Sequence, residues 1–259
     1  MVISFASLPT HTKKSRSIVG IKIISRRSRR MTIMSSKVLD PVAFLLRLIK
    51  SEDWKMIRKL IAVSSPDCFR AMASSIPSIS EPELNGTTLL HAIVRHNPPL
   101  DIVGNIIRLC PDMTASRDDL GWTPLHVAAC SKASPLLLKF LACAYPAACD
   151  AQDEEGKTPL HFVCEPTLVL FGGDTSSTLQ EAPNHEAVVA LLSESMNAAT
   201  IEDDEDMTPL EHAIMNGASL KTVKLLQSSS AKSLRSRARS TSTSPDPETN
   251  KRRRVSGAF

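Results

Sequence analysis

Between residues 40 and 227 the apolar positions fall into short stripes of helical period, separated by polar turns. Leu137, Leu138, Phe140 and Leu141 form one such stripe and predict a helix over 135–145, after a turn at Ala133-Ser134. Tyr145-Pro146 stops it, because the residue before a proline is pushed out of the helical region. A shorter helix precedes it, with Leu125, Ala128 and Ala129 behind Thr123 as N-cap and Pro124 at the first helical position. Segments 40–49 and 53–63 predict an upstream helix pair, opened by Asp40-Pro41, and 184–195 a further helix near the other end. Wholly apolar runs such as 42–46 and 140–145 are far below the ~18 residues of a membrane-spanning helix, which is excluded.

The short-helix, long-helix pattern repeats. Four segments align: Gly86-Thr87-Thr88-Leu89-Leu90-His91, Gly121-Trp122-Thr123-Pro124-Leu125-His126, Gly156-Lys157-Thr158-Pro159-Leu160-His161 and Asp206-Met207-Thr208-Pro209-Leu210-Glu211. Their threonines Thr88, Thr123, Thr158 and Thr208 are 35, 35 and 50 residues apart. Other positions keep the register. Pro111 and Pro146 lie 12 residues before the next threonine, Asp118, Asp153 and Asp203 five before it, and Leu141 and Leu226 lie 18 after their own.

These residues resemble the ankyrin repeat, a unit of about 33 residues made of a β-turn and two antiparallel helices with a T-P-L-H-x-A start. The resemblance covers residues 85–227. It implies a mainly α fold, an ankyrin-repeat solenoid of stacked helix-turn-helix units with projecting β-turn loops. Loop 150–157 is then one such projection, with Gly156 turning the chain into the next unit. The long interval places an insert at about 166–183, an exposed loop between two helices centred on Gly172-Gly173-Asp174. Residues 40–84 lack T-P-L-H and are expected to form an N-terminal cap or degenerate repeat, since a stacked unit cannot bury both faces alone. Leu89 in place of proline and Glu211 in place of histidine are departures from the pattern.

Composition sharpens the boundaries. Aromatics are only 4% of the chain, against a β-sandwich or barrel. Residues 1–39 carry nine basic groups and no acid, and residues 228–259 carry eight against two. The stretch 40–227 holds 14 basic and 25 acidic residues, a charge of −11. Both ends are rich in serine and poor in large apolar residues, so the expectation is an acidic folded body between disordered basic arms.

Little in the sequence suggests bond chemistry. His91, His126 and His161 recur once per repeat, which spaces them along a stack instead of converging them on a metal. In the family this histidine hydrogen-bonds within its own turn. The six cysteines, Cys68, Cys110, Cys130, Cys143, Cys149 and Cys164, show no C-x-x-C and no zinc spacing, and read as buried reduced thiols of an intracellular protein. No Gly-rich phosphate loop is present, and neither a cofactor nor a small-molecule substrate is implied.

The expected function is therefore a non-enzymatic protein–protein interaction module, using the concave face and loop tips that the resemblance implies. Candidate contacts at the tips are Asp118, Asp119, Asp153, Glu154 and Glu155. The residues just before the repeat threonines, Thr87, Trp122, Lys157 and Met207, are expected to be exposed, with Trp122 as an anchor. Acidic tips call for a partner with a basic segment. Arg235, Arg237 and Arg239 with Lys251, Arg252, Arg253 and Arg254 resemble a bipartite nuclear-import signal, which favours the nucleus over the cytoplasm. The acid-free N-terminal arm also resembles an organelle transit peptide. An alternative reading is a nuclear regulatory factor whose basic tails contact nucleic acid; against it, the tails lack aromatics for base stacking and the body repels phosphate.

Overall fold

The computed structural model describes residues 2–5, 21–24, 41–74, 86–165 and 182–241. These are mainly helical. Near the N-terminus, β1 (Val2–Phe5) and β2 (Ile21–Ile24) pair antiparallel, Val2 opposite Ile24 and Phe5 opposite Ile21. The sequence reading assigned residues 1–39 no secondary structure, but both strands are rich in β-branched or aromatic residues and can share a ladder.

The upstream helix pair is present as α1 (Pro41–Lys50) and α2 (Trp54–Val63). Asp53 caps α2 by accepting the Met56 N–H at 3.0 Å. A third helix, α3 (Pro66–Ser74), was not expected. Its start is nonetheless written in Ser65-Pro66-Asp67, with the Ser65 hydroxyl accepting the Cys68 N–H, and Phe69, Met72 and Ala73 bury one face.

Four helix pairs follow: α4 (Leu89–Val94) with α5 (Leu100–Leu109), α6 (Pro124–Cys130) with α7 (Pro135–Ala144), α8 (Pro159–Cys164) with α9 (His185–Leu192), and α10 (Pro209–Met215) with α11 (Leu220–Thr241). The short helices pack in order, α4 on α6, α6 on α8 and α8 on α10, and the longer ones likewise, α5 on α7, α7 on α9 and α9 on α11. Each pair buries its apolar stripe against the next, so Leu90, Ile93, Ile102, Leu125, Leu137, Leu138, Leu160, Val188 and Leu191 form one continuous core. Short 3₁₀ turns at Pro111–Thr114, Pro146–Cys149 and Asn197–Thr200 lead from the pairs toward the next loop.

The insert at 166–183 lies almost wholly outside the described residues, which resume at Ala182 and the buried Pro183. Asn184 then caps α9, accepting the Glu186 and Ala187 N–H groups. The C-terminal boundary needs correction. Instead of ending at 227, α11 runs to Thr241, so Arg235, Arg237 and Arg239 stand exposed on a helix and not in a disordered arm. Ser229 and Ser233 are buried. Ser230 donates to the Ala199 carbonyl at 2.9 Å and Ser233 to the Asn197 side chain at 2.9 Å. Small hydroxyl residues thus dock the helix where no large apolar side chain announced it. Lys251, Arg252, Arg253 and Arg254 lie outside the described residues, as does Asp40.

Candidate interaction site

Three loops are built to one plan. Asp118 Oδ1 accepts the N–H groups of Leu120 and Trp122, at 3.0 and 2.9 Å. Asp153 Oδ1 does the same for Glu155 and Lys157, and Asp203 Oδ1 for Glu205 and Met207. The chain ends of each loop pair as well, Asp118 N–H to the Trp122 carbonyl, Asp153 to Lys157 and Asp203 to Met207. These aspartates shape the backbone with their carboxylates, as short acidic side chains do in turns. Neighbouring loops are tied together: Glu154 N–H donates to the Leu120 carbonyl at 3.2 Å and Asp204 N–H to the Glu155 carbonyl at 3.1 Å. Arg117 bonds the carbonyls of Gly121 and Gln152, and Gln152 those of Gly156 and Glu202.

The threonine turns behind the loops are equally regular. In the first three units the Thr N–H donates to His Nδ1: Thr88 to His91, Thr123 to His126, Thr158 to His161. The acceptor role at Nδ1 leaves the proton on Nε2, which reaches forward to the Trp122 carbonyl, to those of Ala151 and Lys157, and to that of Met207. Each histidine therefore joins its own cap to the next loop. Burial lowers their pKa values to about 4 for His91, about 3 for His126 and about 4 for His161, so all three are neutral near pH 7.

In the fourth unit Glu211 takes this place, its Oε2 accepting the Thr208 N–H at 2.7 Å. The displaced His212 instead donates from Nε2 to the buried Asp203 at 2.7 Å. Burial works to raise the Asp203 pKa, but this bond and the two backbone donors outweigh it and hold the carboxyl below its usual range. The rings of His161 and His212 meet edge-on, centroids 5.5 Å apart. His161 uses both ring nitrogens and His212 its Nε2, and among the described residues no group of three or more His, Cys, Asp or Glu side chains is arranged to hold a metal ion. Burial pushes the thiols of Cys130 and Cys149 up to about 12 and raises that of Cys164 further, the opposite of an activated nucleophile. Contrary to the sequence reading, Cys143 is exposed and Cys68 half-buried.

The exposed-anchor reading of Trp122 is overturned. Trp122 is only 9% exposed. Its ring packs edge-on against Phe162, centroids 5.0 Å apart, and its indole N–H donates to Asp153 Oδ2 at 2.9 Å. Phe162 and Asp153 belong to the following unit, so that unit covers the Trp122 side chain. Thr87 is likewise buried, and Met207 is half-buried. Lys157 is held between Glu155 at 3.4 Å and Glu165 at 3.2 Å, with a side chain only 12% exposed.

Among the other candidates, Asp118 and Asp153 are half-buried loop builders, and burial raises the pKa of each despite the bonds they accept. Asp119, Glu154 and Glu155 do face solvent, together with Glu202, Asp204, Glu205 and Asp206 of the last loop. Leu120 stands among them, 45% exposed. It was missed, though it sits two residues after a loop aspartate, the register that also exposes Glu155 and Glu205.

Residues 112–163, which span the second unit and its flanking loops, match the family model of ankyrin repeats (many copies). Residues 112–163 carry ankyrin repeats. The match covers the stretch where threonine caps, histidine bridges and loops are most regular, and it agrees with the resemblance drawn from T-P-L-H. No curated protein matches the chain. Ankyrin repeats generally mediate protein–protein interaction, through a preformed surface of stacked units.

Proposed function

We propose that this ankyrin-repeat segment is a short solenoid that holds a partner protein by a basic segment along its loop tips, without bond chemistry. The observation that carries this reading is the row of solvent-facing acids on consecutive loops, Asp119, Glu154, Glu155, Asp204 and Glu205, with exposed Leu120 beside them. The loops are held in register by backbone bonds from one to the next, so little ordering is needed on binding. A basic peptide is drawn in by the field of the acids, and Leu120 offers one apolar contact in place of the buried Trp122. The import-type run 251–254 makes the nucleus the proposed compartment, and a fluorescent fusion with and without it checks that part.

The test uses the full chain and fluorescein-labelled ten-residue peptides, one rich in Lys, Arg and Leu and one with the same length rich in Asp, Glu and Leu. Fluorescence anisotropy should show binding of the basic peptide that weakens as salt rises. The Glu154→Lys, Glu155→Lys double variant should weaken it at least tenfold, and Leu120→Ser severalfold. Equal binding of both peptides, or no change in the double variant, refutes the reading.

A second reading has its own observation. The described length of α11 carries Lys221, Lys224, Lys232, Arg235, Arg237 and Arg239 and no acid, so nucleic-acid phosphate is the alternative ligand at that end. Binding of a labelled DNA duplex that is lost on neutralising α11, with the peptide unbound, favours it instead.

A further inference from the structure

Among the described residues, the fourth helix pair leaves open a face that the three before it close. Six residues after the repeat threonine stand Val94, Ala129 and Cys164 in the first three units, at 0%, 3% and 0% exposure. The same position in the fourth is Ile214, 55% exposed. One residue on, Cys130 is buried whereas Met215 is 68% exposed. The second helices agree: Leu138 and Ala142 of α7 are buried, but their counterparts Val223 and Gln227 of α11 are half-buried and exposed. Leu220 adds a further 68% exposed side chain at the start of α11. The loops agree: a Cβ on Gly86, Gly121 or Gly156 would press on the following loop, whereas Asp206 carries one at that position and is exposed. A terminal repeat normally presents a polar outer side, because exposed apolar stacking surface invites association.

The charges beside this face identify what covers it. On the loop side stand the exposed acids Glu205, Asp206 and Glu211. On the α11 side stand the exposed cations Lys221 and Lys224. The face thus runs from acid through an apolar centre to base. Turned by half a revolution about an axis through its centre, it meets itself with apolar centre on apolar centre and each acidic flank on a basic one. That is the self-complementary pattern of a two-fold contact.

We propose that the chain forms a two-fold homodimer through this terminal face, with Ile214, Met215 and Leu220 at its centre and the flanks of Glu205, Asp206, Lys221 and Lys224 paired across it. This interface involves the end of the stack. It shares Glu205 with the acidic loop row but not Glu154 and Glu155, so the Glu154→Lys, Glu155→Lys variant tests peptide binding alone and the Ile214→Asp, Met215→Asp variant tests the dimer alone.

Sedimentation equilibrium of the full chain over a range of concentrations reads the proposal. The native chain should show a monomer–dimer equilibrium. Ile214→Asp with Met215→Asp should shift it at least tenfold toward monomer, with circular dichroism and urea melting confirming that the fold persists. The flanks give a second test that does not depend on the apolar centre. Glu205→Lys with Asp206→Lys should weaken the dimer, and Lys221→Glu with Lys224→Glu should also weaken it. A chain carrying all four changes, or an equimolar mixture of the two charge-swapped chains, should regain it. A native chain that stays monomeric at every concentration overturns the proposal. So does a dimer indifferent to Ile214→Asp and Met215→Asp, or one lost only when residues 242–259 are removed.

Discussion

The second and third units differ from the fourth at the same three positions, and each difference follows from having a following unit to meet. His126 and His161 cap their helices and reach forward to the carbonyls of the next loop, whereas among the described residues Glu211 bonds only within its own cap. Gly121 and Gly156 turn their loops with φ of 75° and 73°, and Asp206 takes that position with φ of 59°. A Cβ on Gly156 would lie 2.7 Å from Asp204 Oδ1 and 2.9 Å from the Asp204 nitrogen. Asp206 carries its Cβ in the same conformation and remains exposed. Ala129 and Cys164 are covered, and Ile214 is open. A repeat motif therefore combines residues that make a unit with residues that join units, and the fourth unit separates the two.

The capping position gives the largest expected contrast. His126→Ala removes a buried ring, leaves the Thr123 N–H without its acceptor and strips a donor from two carbonyls. The cost should be about 4 kcal/mol in urea unfolding of the full chain. Glu211→Ala, at the exposed equivalent, should cost about 1 kcal/mol, the ordinary loss of a cap. Equal costs would mean that the forward bonds of the histidine contribute nothing.

Acidity should separate the same two regions. The folded pKa values of His91, His126 and His161 lie below the ordinary 6.5, so the unfolded chain takes up protons first as pH falls. Their contribution is complete above pH 6.5 and is lost as pH falls toward 4. Between pH 7 and 5.5 the loss should be about 1 kcal/mol per histidine, roughly 3 in all. The Glu211 carboxyl is held below its usual range by the backbone and hydroxyl of Thr208, so its contribution is lost only at more acid pH, below about 4.5. Hydrogen exchange at pH 5.5 should show amides of α6 and α8 losing protection relative to pH 7 more than those of α10. A uniform loss would contradict the comparison.

The loop glycines give the smallest contrast. Gly156→Ala should cost about 2 kcal/mol, combining a strained φ with a contact on the Asp204 backbone. Asp206→Gly, at the open equivalent, should change stability by about 0.5 kcal/mol or less. Thermal melting of the two variants side by side is sufficient.

Much of this architecture is legible before any coordinate. The spacing of Thr88, Thr123, Thr158 and Thr208 sets the units, Pro124, Pro159 and Pro209 start their short helices, and the Leu137–Leu138–Leu141 stripe marks a long one. These are local signals: a cap, a fixed φ and a helical period act within a few residues of their cause. The start of α3 is written at Ser65-Pro66-Asp67 in the same way and was passed over. The docking of α11 beyond 227 was not legible, since Ser229, Ser230 and Ser233 look like the residues of a solvated tail. What makes them a docking face is the turn Asn197–Thr200, some thirty residues earlier.

The sequence by itself determined the repeat, its capping chemistry and the acidity of the loops, because those depend on nearest neighbours along the chain. The tertiary structure alone decided which side chains face the solvent. Trp122 reads as an exposed anchor until Phe162 and Asp153 of the next unit close over it. Ile214 keeps the register of the buried Val94, Ala129 and Cys164, yet no described residue covers it. Burial in a stack is set by the neighbouring unit, so the same position is core or surface according to what stands beyond it.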